Sequence, residues 1–355
     1  MKKKSLLFIC ILFICFSIYG QDKKEKKVQW SALPFAFYTP ETGLGFGGLV
    51  NANFYLQDSS YRPSTMLLGG AYTLQNQLLT YLPFEFNWGK NTYVVKGEVG
   101  YFRYFFNYYG IGPEYREDFE VFTVNFPRFR INALYRFYGN HFVGVKYNFD
   151  DYRVVELDPE GALLNQKVPG YQGSLISLGG LVHTYDSRDY NFSATKGWFI
   201  TTTFEHNGAL LGSNFSFSRI TSDIIKYIPL AKGQVLALNL YGGTTFGTPP
   251  FQEYLLYGGT KKARGYYEGY YRDNALMMFQ SEYRFQIWRR FGAVVFGSLG
   301  NVGPSLDKIN PALTKWNAGL GLRYMINEED RLNARLDYAI GKNTSGLYIT
   351  FGEAF

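Results

Sequence analysis

The chain has 355 residues, and its only cysteines, Cys10 and Cys15, lie in the first 20, so disulfide frameworks, thiolate metal sites and cysteine nucleophiles are excluded beyond that point. Of the formal charge of +7, Lys2, Lys3 and Lys4 supply three units and the run Asp22-Lys23-Lys24-Glu25-Lys26-Lys27 a further two. The remainder is close to neutral, and no nucleic-acid partner is implied. Aromatic residues reach 19% while mean hydropathy is only −0.17, a combination that suits strands with one apolar and one wet face.

The N-terminus comes first. Met1-Lys2-Lys3-Lys4 is followed by an apolar run over 6–19 and then Gly20-Gln21-Asp22. A basic start, a compact apolar stretch and a small residue before a polar turn predict a cleaved secretory signal peptide over 1–20. The run is too short for a spanning helix, which needs about 20 residues. Ile14 precedes Cys15 where a lipoprotein signal needs a small residue, so cleavage near Gly20 is preferred although Ile18 is bulky. Residues 21–28 then read as a short, basic, solvated linker.

From residue 29 to 355 the chain reads as a single barrel. Alternation of period two recurs in segments of about ten residues. In 127–137, Phe129, Ile131, Ala133, Tyr135 and Phe137 alternate with Arg128, Arg130, Asn132 and Arg136. In 142–151, Val143, Val145, Tyr147 and Phe149 alternate with Gly144, Lys146, Asn148 and Asp150, and 277–287 repeats the pattern with Gln280, Glu282, Arg284 and Gln286 as the polar members. In 331–340, Arg331, Asn333, Arg335 and Asp337 share one face, and Leu332, Leu336, Tyr338 and Ile340 the other.

Short turns near 89–91, 139–141, 231–233 and 327–330 face longer connections at 105–120, 155–173 and 246–274. That asymmetry matches periplasmic turns and external loops. The fold class is therefore all-β: a transmembrane antiparallel β-barrel of an even number of strands, about sixteen, the first near Gln29 and the last ending at Phe355. About 21 residues per strand and connection leave no room for a second domain.

Several stretches, in their order and spacing, resemble the BamA/TamA (bacterial surface antigen) superfamily of outer-membrane assembly proteins. Gly258-Gly259-Thr260-Lys261-Lys262-Ala263-Arg264-Gly265-Tyr266 is similar to that family's Arg-Gly-aromatic motif on the sixth external loop. Tyr271-Arg272-Asp273-Asn274 and Glu282-Tyr283-Arg284-Phe285 follow at the family's spacing. Tyr185-Asp186-Ser187-Arg188-Asp189 with Lys196-Gly197-Trp198 resembles its periplasmic turn. Tyr108-Tyr109-Gly110-Ile111-Gly112 and the terminal stretch from Leu336-Asp337-Tyr338-Ala339 to the aromatic Phe355 also fit. The resemblance covers the barrel only. With residues 21–28 alone before the first strand, POTRA domains are not expected. Ser298, in Phe296-Gly297-Ser298-Leu299-Gly300-Asn301, stands where the family has an aspartate.

The resemblance implies that loop six folds into the lumen, with Arg264 paired to a wall carboxylate, Gly265 allowing a tight backbone and Tyr266 packing on the wall. The bland alternative is a solvated loop arginine. Glu282 has lumen parity and is the expected partner, largely alone because Ser298 replaces the usual acid. Asp186, Arg188 and Asp189 read as a turn fixed by side-chain-to-backbone bonds rather than as a catalytic or metal cluster. His141, His183 and His206 show no metal-ligand spacing, and His183 near Asp186 is only a faint hint of a hydrolase.

Neither a cofactor nor a metal is expected. The implied function is non-enzymatic: outer-membrane biogenesis, by insertion or transfer of protein or lipid at a seam between the first and last strands. Pro34 lacks an N–H, and Gly346 and Gly352 are expected to weaken the opposing strand. The expected location is a Gram-negative-type outer membrane. Expected partners are membrane lipids and outer-membrane protein clients or assembly-complex subunits, with a homo-oligomer left open. The rival readings are a passive anion-favouring channel, lined by Arg128, Arg130, Arg136, Lys146, Arg323, Arg331 and Arg335, and a structural subunit of a larger complex.

Overall fold

Alternating residues along each strand dictate an inside-out sheet. The computed structural model, which describes residues 28–56, 62–328 and 331–355, closes that sheet on itself. The predicted signal peptide and most of the linker lie outside the described residues. Strands β1 (Val28–Thr39), β2 (Gly43–Phe54), β3 (Ser64–Thr73), β4 (Leu78–Trp88), β5 (Tyr93–Tyr108), β6 (Glu120–Tyr138), β7 (His141–Glu156) and β8 (Ser174–Asp186) form the first half of the wall. Strands β9 (Gly197–Asn207), β10 (Ser216–Ala231) and β11 (Gln234–Thr248) continue it. The chain then leaves the wall for a short hairpin, β12 (Leu255–Tyr257) with β13 (Tyr271–Asp273). It returns as β14 (Ala275–Trp288), β15 (Phe291–Gly303), β16 (Lys315–Asn327), β17 (Leu332–Gly341) and β18 (Thr344–Phe351). Sixteen antiparallel strands close the barrel, in agreement with the sequence reading.

The pattern of burial is inverted relative to a water-soluble protein. On β17, Asn333, Arg335 and Asp337 are buried inside, whereas Leu336, Tyr338 and Ile340 are exposed outside. Such exposed apolar side chains recur on every wall strand and are stable only against lipid. No helix among the described residues is long and apolar enough to cross a membrane. Exposed aromatic pairs, Trp88 on Tyr93 and Trp288 on Phe291, stack at the ends bearing short turns, as interfacial girdles do. At the other end an apolar core lies within the barrel. Phe122, Val124, Phe126, Ile176 and Phe217 of the wall pack there against Leu163 and Val168 of the β7–β8 connection and Phe251 of the sixth loop.

Two boundaries differ from expectation. The last strand ends at Phe351, not Phe355. Gly352 is therefore not a weak point within the strand but the residue just after it. Its φ of +76°, strained for any side chain, breaks the pleat while its N–H donates to the Asn333 carbonyl at 2.8 Å. Glu353 is then drawn inward by Arg323 and Asn333, at 2.8 and 2.6 Å, and Phe355 packs beside Tyr227 and Ala237 under the Arg284 guanidinium. Arg331 is likewise no strand residue: it sits in the turn before β17 at φ +53°, over the Tyr190 ring.

Candidate functional site

Loop six carries the most buried ion cluster of the described residues. The β12–β13 hairpin sends its tip between Gly258 and Tyr270, where glycines with positive φ, among them Gly265 at +103°, permit a tightly coiled backbone. Arg264 thereby reaches the inner wall. Its Nη2 donates to Glu282 on β14, and its Nη1 donates to Asp337 Oδ2 on β17 at 2.5 Å. Arg264 is 2% exposed, and both carboxylates are fully buried. The guanidinium also lies over the Phe296 ring of β15, 3.4 Å from its centroid.

Asp337 resolves the question left by Ser298. The second acid comes from β17, so Glu282 does not serve alone. Ser298 instead donates to Asn317, whose amide donates to the Arg264 carbonyl. Space for this arrangement comes from Gly321 on β16, where a Cβ would collide with the Asp337 carboxylate and crowd Arg323. The other oxygen of each carboxylate also has a donor. Arg284 Nε donates to Glu282 Oε2 at 2.8 Å, and Arg323 Nη1 donates to Asp337 Oδ1 at 2.6 Å. A desolvated carboxylate is tolerable only when it is paired and hydrogen-bonded in this way.

The neighbouring loop residues tie the tip to β18. Gly265 N–H donates to the Tyr348 hydroxyl at 2.8 Å, and the Thr344 hydroxyl donates to the Gly265 carbonyl at 2.7 Å. Tyr266 is wholly buried against Tyr257, Tyr270 and Tyr271. Its hydroxyl donates to the Trp316 carbonyl at 3.0 Å and accepts from the Lys342 N–H at 2.9 Å.

The seam lies along the other edge of β18. Among the described residues a single register pair joins β1 to β18, Tyr38 opposite Ile349, whereas β1 pairs with β2 along its whole length. Phe35 meets Phe351 edge-on at 6.1 Å across the gap. Pro34 stands opposite Gly48 of β2 in the stretch of β1 that has no register partner on β18, and Gly346 stands opposite Ala339 of β17.

The turn between β8 and β9 brings together the three residues predicted for it. Arg188 forks onto Asp186, with Nε and Nη2 at 2.9 and 2.8 Å from the two carboxylate oxygens, and stacks over Phe199. Asp189 accepts from the Thr195 amide at 2.9 Å, the Lys196 amide at 3.3 Å and the Thr195 hydroxyl. Partial burial opposes ionisation of Asp189, but these donors outweigh it and hold the carboxyl below the usual range.

Most of the cations that could favour anions in a pore are held in ion pairs. Arg128 and Arg130 share Asp150 at 2.6 and 3.0 Å, Lys146 pairs with Glu205, Arg323 with Asp337, and Arg335 lies 3.4 Å from Asp337. Arg136 donates to a turn carbonyl at the rim. The sequence reading missed Asp337, Asn317 and Tyr348 as partners of loop six. Asp337 had the right parity, but its distance from Arg264 along the chain hid the contact.

Residues 39–355 match the Omp85 superfamily domain. Among solved structures, BamA from Haemophilus ducreyi lacking POTRA domains 1–3 superposes with a TM-score of 0.61 at 15% identity, over 93% of this chain and 71% of that one. CdiB from Acinetobacter baumannii gives 0.59 at 12% identity, over 92% and 60%, and CdiB from Escherichia coli 0.60 at 10%, over 92% and 63%. The chain thus spans less than two thirds of either CdiB chain. At these identities the likeness is one of fold. No curated protein matches in sequence.

Proposed function

The chain belongs to the Omp85 superfamily, and from that premise we propose that it assists outer-membrane biogenesis by passing protein or lipid across the seam between β1 and β18, without bond chemistry. The observation that carries this reading is the seam itself: one register pair where every other neighbouring pair of wall strands makes a ladder. An unpaired strand edge is a template for another strand, and backbone groups left unpaired in lipid cost several kcal/mol each. An incoming strand of a client would satisfy them by extending the sheet from β1. The ion-paired lumen cations and the loop-filled outer end count against the passive anion channel.

The test is depletion of the protein followed by quantitative analysis of the outer membrane. Selective loss of particular barrel proteins or lipids supports transfer at the seam. An unchanged outer membrane, with altered permeation of small anions, would favour the channel.

A further inference from the structure

His141 and His183 are 42 positions apart, and nothing in the sequence links them. The β7–β8 register places His141 opposite Tyr185 and His183 opposite Val143, so the two imidazoles become diagonal neighbours on one face. That face is the outer one, since Val143, Val145 and Leu181 on the same parity are exposed while Val182 is buried inside. Both sit at the end of the wall that carries the short turn before β7, beside Tyr138, which is 75% exposed. This is the interfacial belt, where water and lipid phosphates are both within reach.

We propose that His141 and His183 together bind one divalent transition-metal ion of the zinc, copper or nickel class on the outside of the barrel. His141 Nδ1 and His183 Nε2 face each other at 3.2 Å, with the rings inclined by 25°. With metal–nitrogen bonds of about 2.0–2.1 Å, two nitrogens at that separation subtend about 100–106° at the ion, close to the tetrahedral angle. The two nitrogens thus stand at chelating separation, and a turn of the rings about their side-chain torsions would aim both lone pairs at one ion. As ligands, both rings carry their hydrogen on the far nitrogen.

His141 is also held in place before any ion arrives. Its ring packs against Tyr185 with centroids 4.6 Å apart and against Phe137 at 5.9 Å. Ligands fixed by packing and by strand register lose little freedom on binding. Among the described residues no group of three or more histidine, cysteine or acidic side chains is placed to hold a metal ion, so water or a lipid phosphate completes the shell. A bound ion would staple β7 to β8 next to the turn that carries Asp186, Arg188 and Asp189, where Asp186 N–H already donates to the Asn140 carbonyl at 3.1 Å.

The test is a titration of the untagged, detergent-solubilised barrel with Cu²⁺, read by electron paramagnetic resonance. His141, His183 and His206 are the only histidines, and His206 on β9 bonds to Ser218 on another part of the wall, which makes His206→Asn an internal control. One equivalent with a two-nitrogen signature is expected. His141→Asn and His183→Asn should each weaken binding by roughly tenfold or more, and His206→Asn should leave it unchanged. His141→Gln, with retained heat-modifiable gel mobility as the check on folding, stands in should His141→Asn not fold. Binding unaffected by either change, or no two-nitrogen signal at one equivalent, would reduce the pair to two hydrogen-bonded imidazoles and overturn the proposal.

Discussion

Strand β18 has two edges and an inner face, and they are held in opposite ways. On one edge a full ladder joins it to β17, and on the inner face Gly265 grips Tyr348 and Thr344 while Arg264 fastens the loop to β14 and β17. On the other edge the ladder to β1 is reduced to Tyr38 opposite Ile349. The contrast shows how a barrel can hold its last strand with a much reduced ladder at its last seam. Buried side-chain bonds from within replace the backbone bonds that β1 does not supply. Rigidity in the loop-six cluster and weakness at the seam are therefore two parts of one arrangement.

The cluster is the place to break it. Arg264→Ala leaves Glu282 and Asp337 buried with fewer partners, and loss of one member of such a pair costs about 3–5 kcal/mol. A clear fall in the temperature of the heat-modifiable gel shift is expected, together with protease cleavage near Lys261 and Lys262. Arg264→Lys should recover only part of this, because a single ammonium cannot fork across two acids. Gly321→Ala should come next, at about 1–3 kcal/mol, since the new methyl displaces the Asp337 carboxylate without removing any charge.

A finer cut comes from Glu282→Gln and Asp337→Asn. Acting through the same guanidinium, they should couple by about 0.5–3 kcal/mol in a double-mutant cycle. Strict additivity would mean that Arg264 does not bridge them. The smallest effect belongs to the turn between β8 and β9. The Asp189 carboxyl is held below its ordinary range in the folded chain, so its contribution is present above about pH 4 and is lost as pH falls through the lower folded value. Cleavage at Lys196 should rise on acidification in the native chain. Asp189→Asn should show that cleavage already at neutral pH, with little further acid response.

Much of the barrel was legible because a strand betrays its faces by alternation. Asn333, Arg335 and Asp337 inside and Leu336, Tyr338 and Ile340 outside could be read from ten residues of sequence. The Arg264–Glu282 contact was legible only through the resemblance, since parity says which residues face inward but not which inward residues meet. Asp337 escaped for that reason, being 73 positions from Arg264. The inward turn at Gly352 was hidden because a glycine near the end of an apolar run looks like a weak strand residue until its φ is known. The pairing of His141 with His183 needed the β7–β8 register, which short-range pattern does not fix.

Transfer at the seam requires the seam to open while β18 stays anchored. The chain has no cysteine beyond Cys15, so a disulfide can be placed at will. Tyr38→Cys with Ile349→Cys would lock the one register pair of the seam, and Tyr338→Cys with Leu347→Cys would lock a pair that the β17–β18 ladder already makes. In cells depleted of the native protein, the oxidised seam lock should fail to restore outer-membrane composition, reductant should restore it, and the control lock should be harmless. Full rescue by a completely oxidised seam lock would show that the seam does not open in function.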